Sequence, residues 1–149
     1  QSRLLVAGKG PLLHDVRGLV KGLNLDGAVR FLGLREDIPE LMTAADAYLM
    51  SSAWEGFPIV LLEAAASGLP IVATQVGGNE EIVLHGKTGF LAPAKDPGAL
   101  SAVLCDMMML PAPARRQFGR DARKHVRSHY GLDHIVKVWE TLYGKFLQE

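Results

Sequence analysis

The sequence lacks several things, and each absence narrows the reading. Cys105 is the only cysteine in 149 residues, so no disulfide can form within the chain, which fits a reducing compartment. Neither sign of charge predominates, with 16 Lys and Arg against 16 Asp and Glu. That removes the electrostatic argument for nucleic acid or a broad anionic surface as partner. No apolar run reaches the ~18 residues that cross a bilayer, and no secretory signal opens the chain. No metal cluster is visible. His125 and His129 stand four apart on an expected helix, but no third ligand lies near them in sequence, so they read as surface histidines. There is no initiating Met: Gln1-Ser2-Arg3 leads straight into an apolar run, as in a piece of something longer.

What is present suits one domain spanning 1–149, with 48% apolar residues to build a core. Leu4-Leu5-Val6-Ala7 is a short apolar run halted by Gly8-Lys9-Gly10-Pro11, which predicts a strand and a tight turn. Residues 12–23 carry Leu12, Val16, Leu19, Val20 and Leu23 at helical spacing. Val29 to Leu32 predicts a second strand. Asp37 to Ala45 predicts a short helix, with Asp37 as its cap and Pro39 in its first turn. Ala47 to Met50 is a third strand, followed by a loop from Ser51 to Gly56. Pro58 to Ser67 is a helix stopped by Gly68. Strands at Ile71–Ala73 and Gly89–Ala92 flank a helical turn at Glu80–Leu84. Helices follow over roughly 97–110, 113–128 and 132–147. Strands alternating with helices imply an α/β fold with a parallel sheet covered on both faces, its strands apolar throughout.

In such a sheet, ligands bind beyond the carboxyl ends of the strands. The most informative segment there is Glu55-Gly56-Phe57-Pro58-Ile59-Val60-Leu61-Leu62-Glu63. Pro58 presets the first turn of a helix whose free amides attract phosphate. Glu55 precedes that helix, and Glu63 lies five residues into it, about 7.5 Å along the axis. An anion docked at the helix start would sit between two carboxylates. A nucleoside diphosphate sugar has that layout of ribose, two phosphates and sugar. The bland alternative makes Glu55 a solvated loop residue and Glu63 an ordinary helix glutamate. Against it, Glu63 is flanked by Leu61, Leu62, Ala64, Ala65 and Ala66, and a carboxylate inside so apolar a stretch ordinarily needs a partner.

The segment resembles the E-x7-E signature of the group 1, family 4 type retaining glycosyltransferases with the two-domain GT-B fold. Val6 to Pro11 is similar to the family's glycine loop, and Val29 to Gly33 to the strand bordering its base pocket. Ala45-Asp46 through Ser51 and Ser52 resembles the lead-in to the signature. Ser67 to Ala73 and Gly77 to Ile82 resemble the segments after it, and Gly86 to Leu91 follows a further pattern of the family. The resemblance covers nearly the whole chain. It implies a Rossmann-like three-layer domain, the C-terminal, donor-binding half of a GT-B fold.

By position, the resemblance implies that Glu63 bonds the donor ribose and that the amides of Ile59 and Val60 hold the diphosphate. Glu55, the candidate catalytic residue, would contact and orient the transferred sugar with the backbone around Gly56, Phe57 and Pro58. Gly33, Leu34 and Arg35 would line the base, and Gly8 and Gly10 would keep the adjacent turn open. Pro58 stands where many members have Gly and has no N–H to donate. The implied substrate is a nucleoside diphosphate sugar, a UDP-sugar by default, with no cofactor and no metal requirement. The resemblance also implies that a first strand–helix unit, with its diphosphate-neutralising Arg and Lys, and an N-terminal acceptor domain lie outside this chain. It would then be a fragment, inactive without that domain. A cytoplasmic enzyme is expected.

Other features compete. Gly8-Lys9-Gly10 lacks the third glycine of a dinucleotide fingerprint, since position 13 is Leu, and reads as a tight turn. Gly86-Lys87-Thr88 imitates a P-loop ending, but Glu81 stands where the first glycine belongs. Arg115, Arg116, Arg120, Arg123, Lys124 and Arg127 make a basic helix, read as a solvated face, with peripheral contact at an inner membrane surface as the alternative. Met107-Met108-Met109 reads as core filler. Trp54 is open between sugar stacking and packing. Three other functions remain in view: a nucleotide-sugar epimerase, a non-catalytic nucleotide-sugar-binding module, and a glycoside hydrolase using Glu55 and Glu63 as its carboxylate pair. A phosphate-binding helix start argues against the last.

Overall fold

Each apolar run becomes a strand, and the stretches between them become helices, in a computed structural model that describes residues 2–147. The chain divides into two compact units at Ile38/Pro39. In the first, β1 (Leu4–Ala7), α1 (Leu13–Gly22) and β2 (Val29–Gly33) follow in order. β1 and β2 pair in parallel, Leu4 opposite Val29 and Val6 opposite Phe31, with a shift that sets Ala7 opposite Gly33. The guanidinium of Arg17 lies over the Phe31 ring, 5.2 Å from its centre, a cation–π contact.

The expectation of strands covered on both faces fails in this unit. No described residue of it is fully buried, and Leu5 is 48% exposed. The apolar stripe of α1 is bare too: Leu12, Val16, Leu19 and Leu23 are all exposed. Asp37 does not cap the next helix. Both its oxygens accept from Arg35, which outcompetes a backbone amide with a two-pronged ionic contact.

The second unit holds α2 (Ile38–Ala44), β3 (Tyr48–Met50), α3 (Ile59–Ala66), β4 (Ile71–Gln75), α4 (Asn79–Ile82), β5 (Gly89–Pro93), α5 (Pro97–Met109), α6 (Ala112–Tyr130) and α7 (Leu132–Phe146). Its sheet runs β3-β4-β5, all parallel. β4 is paired on both sides, which carries it two residues past the apolar run, and Ile71 to Thr74 are buried. α3 turns Leu61, Ala64 and Ala65 inward, where they meet a core that includes Ile82, Val83, Met107, Ala122 and Val126. Burying a side chain the size of Leu61 stabilises by roughly 1.5–3 kcal/mol.

The helix ends have local causes. Asp96 accepts from the Ala99 amide at 2.9 Å and Pro97 opens α5. Arg115 donates to the carbonyls of Met108 and Leu110 at the end of that helix, where a cation suits the helix dipole. Arg115 therefore leaves the basic face on which the sequence places it. Of the three methionines expected in the core, Met107 is buried but Met109 is 84% exposed, because α5 turns it outward at its last residue. Among the described residues no helix is long and apolar enough to cross a membrane.

Candidate functional site

The start of α3 is open. Pro58 occupies its N-cap position with extended backbone, and no side chain caps the helix. Among the described residues neither the Ile59 nor the Val60 N–H has an acceptor, while Leu61 N–H turns back to the Pro58 carbonyl at 3.0 Å. Two free amides at the positive end of a helix form a ready anion site. Ile59 and Phe57 are exposed and Pro58 is buried, so the ring anchors the turn while its neighbours face solvent.

One carboxylate of the signature precedes this helix start, and the other stands on the fifth residue of α3. Glu55 is half-buried and accepts from the Ser52 hydroxyl at 2.7 Å. Glu63 is exposed, and among the described residues its side chain has no hydrogen bond or ion pair. The apolar neighbours that suggested a buried, partnered carboxylate point elsewhere: Leu61, Ala64 and Ala65 take the buried face and leave position 63 beside it. Tyr48, in β3, feels the charge of both carboxylates. Burial first, then the charge of Glu63, then that of Glu55, push its hydroxyl above the ordinary tyrosine range. The hydroxyl therefore stays protonated, a donor within electrostatic reach of both acids.

The loop carrying Glu55 rests on the segment after β4. A Cβ added at Gly77, whose φ is +46°, would lie 1.8 Å from the Glu55 carbonyl oxygen. One at Gly78 would lie 2.7 Å from the Gly56 carbonyl oxygen, to which the Gly78 N–H donates at 2.7 Å. Only a hydrogen fits at either place. On the other side Phe57 packs against Tyr130 of α6, ring centres 5.5 Å apart. Tyr130 donates to the Glu81 carbonyl at 3.1 Å, and its hydroxyl is raised by burial and by the Glu81 charge. In the sequence Gly77 and Gly78 stand out only as part of a pattern, and nothing there assigns a role to Tyr48 or Tyr130. Their signals, a small pair after a strand and lone tyrosines, are too common to single them out.

In the first unit the structure brings together Gly8 and Gly33, whose N–H and carbonyl meet at 2.7 Å just past β1 and β2. Gly10 accepts from the Leu13 amide at 3.2 Å, so the tight turn falls at Gly10–Leu13, just after Gly8-Lys9. Leu34 is 67% exposed. Arg35 is held by Asp37, which also keeps the Asp37 carboxyl below its usual range.

The remaining candidates are structural. Thr88 accepts from the Leu84 amide at 2.8 Å, which makes Gly86-Lys87-Thr88 a turn before β5 and not a phosphate loop. His125 meets the Glu81 carbonyl at 3.0 Å and stacks against His129. Among the described residues no three His, Cys, Asp or Glu side chains gather as metal ligands. Trp54 is 82% exposed, so packing does not explain it.

Comparison with known proteins bears on this arrangement. A family model described as "Glycosyl transferases group 1" matches residues 1–125. The N-acetyl-alpha-D-glucosaminyl L-malate synthase of Bacillus anthracis is 34% identical over 148 residues, 99% of this chain and 39% of the relative. The D-inositol 3-phosphate glycosyltransferase of Corynebacterium urealyticum is 41% identical over 126 residues, 83% of this chain and 27% of the relative. Among solved structures, Anabaena HepE in complex with UDP-glucose superposes with a TM-score of 0.84 at 27% identity, covering 95% of this chain and 41% of that one. The chain thus spans about two fifths or less of the length of these relatives. Its α/β architecture agrees with that of the solved relative, and the chain belongs to the group 1 glycosyl transferases.

Proposed function

We propose that this chain binds a nucleoside diphosphate sugar, a UDP-sugar in the first instance, and that a longer enzyme containing it transfers the sugar with retention of anomeric configuration. The observation that carries the reading is the uncapped start of α3, with the amides of Ile59 and Val60 free among the described residues; Glu55 precedes it in the chain and Glu63 follows within the helix. HepE, a structural relative, is known with UDP-glucose.

In this reading the two amides hold the diphosphate and stabilise the charge that grows on it as the sugar departs. Glu63, exposed and unpaired, accepts from the ribose hydroxyls. Glu55, with the backbone of Gly56, Phe57 and Pro58, contacts the sugar and orients it, and is not a nucleophile. Gly33, Leu34 and Arg35 serve the base, and Gly8 and Gly10 keep their turn open. Donor binding belongs to this domain, and transfer requires an acceptor domain in the rest of the enzyme, consistent with the 39% of its relative that the chain covers. No step here calls on a metal. The enzyme works in the cytoplasm, and the remaining basic side chains of α6 are its candidates for contact with an anionic membrane face.

Calorimetric titration with UDP-, GDP- and ADP-sugars tests the reading. Saturable binding of a UDP-sugar is expected. Conversion of the donor without acceptor would indicate an epimerase, and no binding at all would leave a partner module. In the longer enzyme, the anomeric coupling of the product reports retention or inversion.

A further inference from the structure

The loop before α3 contains a connected set of polar contacts that the proposed donor roles do not use. The Ser52 hydroxyl donates to Glu55 Oε1 at 2.7 Å. The Ser52 carbonyl accepts from the Thr74 hydroxyl at 2.7 Å, and the Thr74 carbonyl accepts from Asn79 Nδ2 at 2.8 Å. Thr74 is 3% exposed and Asn79 0%. Among the described residues Asn79 Oδ1 is buried with no partner, an arrangement that costs free energy, so the donor end of this amide makes its one side-chain hydrogen bond. The contacts run from a side chain in the core, through the end of the central strand, to one oxygen of the sugar-side carboxylate.

We infer that Ser52 is a positioning residue for Glu55, its hydroxyl fixing the carboxylate that faces the transferred sugar, with Thr74 and Asn79 fixing Ser52 in turn. The inference rests on the donor-site reading above. A hydroxyl bonded to a carboxylate is a charge-assisted contact. It restrains the rotamer of a half-buried glutamate and occupies one oxygen, leaving the other to accept from a ligand. Gly77 lies against the main chain of the same residue and Gly78 against that of Gly56, so Glu55 is restrained in backbone as well as side chain. A merely local turn bond would stiffen the loop and would not discriminate sugar from nucleotide.

That difference supplies the test. The full chain and its Ser52→Ala, Ser52→Thr and Glu55→Ala variants are titrated with UDP and with whichever of UDP-glucose, UDP-galactose and UDP-N-acetylglucosamine binds the unmodified chain most tightly. Ser52→Ala is expected to lower affinity for the UDP-sugar roughly threefold to tenfold and to leave UDP binding unchanged. Ser52→Thr, which keeps the hydroxyl, restores the ratio. Added to Glu55→Ala, Ser52→Ala has no further effect. If Ser52→Ala does not fold, Ser52→Cys, a weaker donor of similar size, carries the same expectation. Equal loss for UDP and UDP-sugar, or an unchanged ratio where Glu55→Ala lowers it, overturns the inference and leaves the donor site standing. An unchanged ratio in Glu55→Ala removes the sugar contact itself, and a chain that binds none of the three sugars removes the proposed function along with this inference.

Discussion

The two units of this chain are built from the same kinds of segment and reach different degrees of completion. In the second, the central strand β4 has neighbours on both sides and helices over its faces, and Ile71, Val72 and Ala73 are 0% exposed. In the first, β1 is as apolar as β4 but among the described residues pairs with β2 alone, and Leu4 and Leu5 remain exposed. An apolar run makes a strand in both cases. Whether it makes a core depends on what is laid over it. The diphosphate end of the proposed site, at the start of α3, belongs to the completed unit, where a rigid floor can hold amides and carboxylates in place.

The largest effect expected from this contrast is on stability. Leu61→Ala should cost about 3–5 kcal/mol in urea unfolding, as for other fully buried leucines, whereas Leu5→Ala in the first unit should cost under about 1.5 kcal/mol. Equal losses would mean that the two units are not so different. Next come the glycines. Gly77→Ala sets a methyl against the Glu55 carbonyl and should cost about 2–4 kcal/mol in a thermal melt while abolishing donor binding. Gly8→Ala meets nothing within 4 Å and should cost only the strain of its positive φ, about 1 kcal/mol.

Glu63→Ala should separate function from stability within the second unit. Weakening of UDP-sugar binding by roughly 10- to 100-fold is expected from a lost hydrogen bond to a charged group, with stability changed by under about 0.5 kcal/mol because the side chain is exposed. A large drop in the melting temperature would sharpen the picture the other way, toward a structural glutamate. The smallest effect concerns Tyr48. Its hydroxyl titrates higher in the folded chain than unfolded, so folding favours the protonated form. That stability is fully present below the unfolded value, about pH 10, and is lost as pH rises through the folded value. Urea midpoints measured upward from pH 9 should fall less steeply for Tyr48→Phe than for the unmodified chain.

Much of this was legible in the sequence because glycine and proline punctuate it so clearly. Gly8, Gly33, Gly68 and Pro111 stand at ends of elements, and the strands and helices begin and end within a few residues of where those stops put them. The open α3 start follows from Pro58 and the absence of a Ser, Thr, Asn or Asp at the cap. Exposure was less legible. The spacing of Leu12, Val16 and Leu19 shows that a stripe is apolar, not that anything covers it. The same limit applies to Glu63, whose apolar neighbours Leu61, Ala64 and Ala65 are buried while it is exposed. Contacts made across the fold were not legible at all. Gly77 lies 22 residues from Glu55 in sequence, and nothing in either local pattern brings them together. Arg35 took Asp37 from its expected cap because ionic pairing competes with capping, and local spacing does not rank the two.

Central to the account is a diphosphate seated on the free amides of α3. NMR titration of the ¹⁵N-labelled chain with a UDP-sugar tests this most directly. The account predicts saturable shifts that are largest at the Ile59 and Val60 amides and extend through residues 55–63. Saturable shifts that leave those two amides unmoved and cluster elsewhere would contradict it.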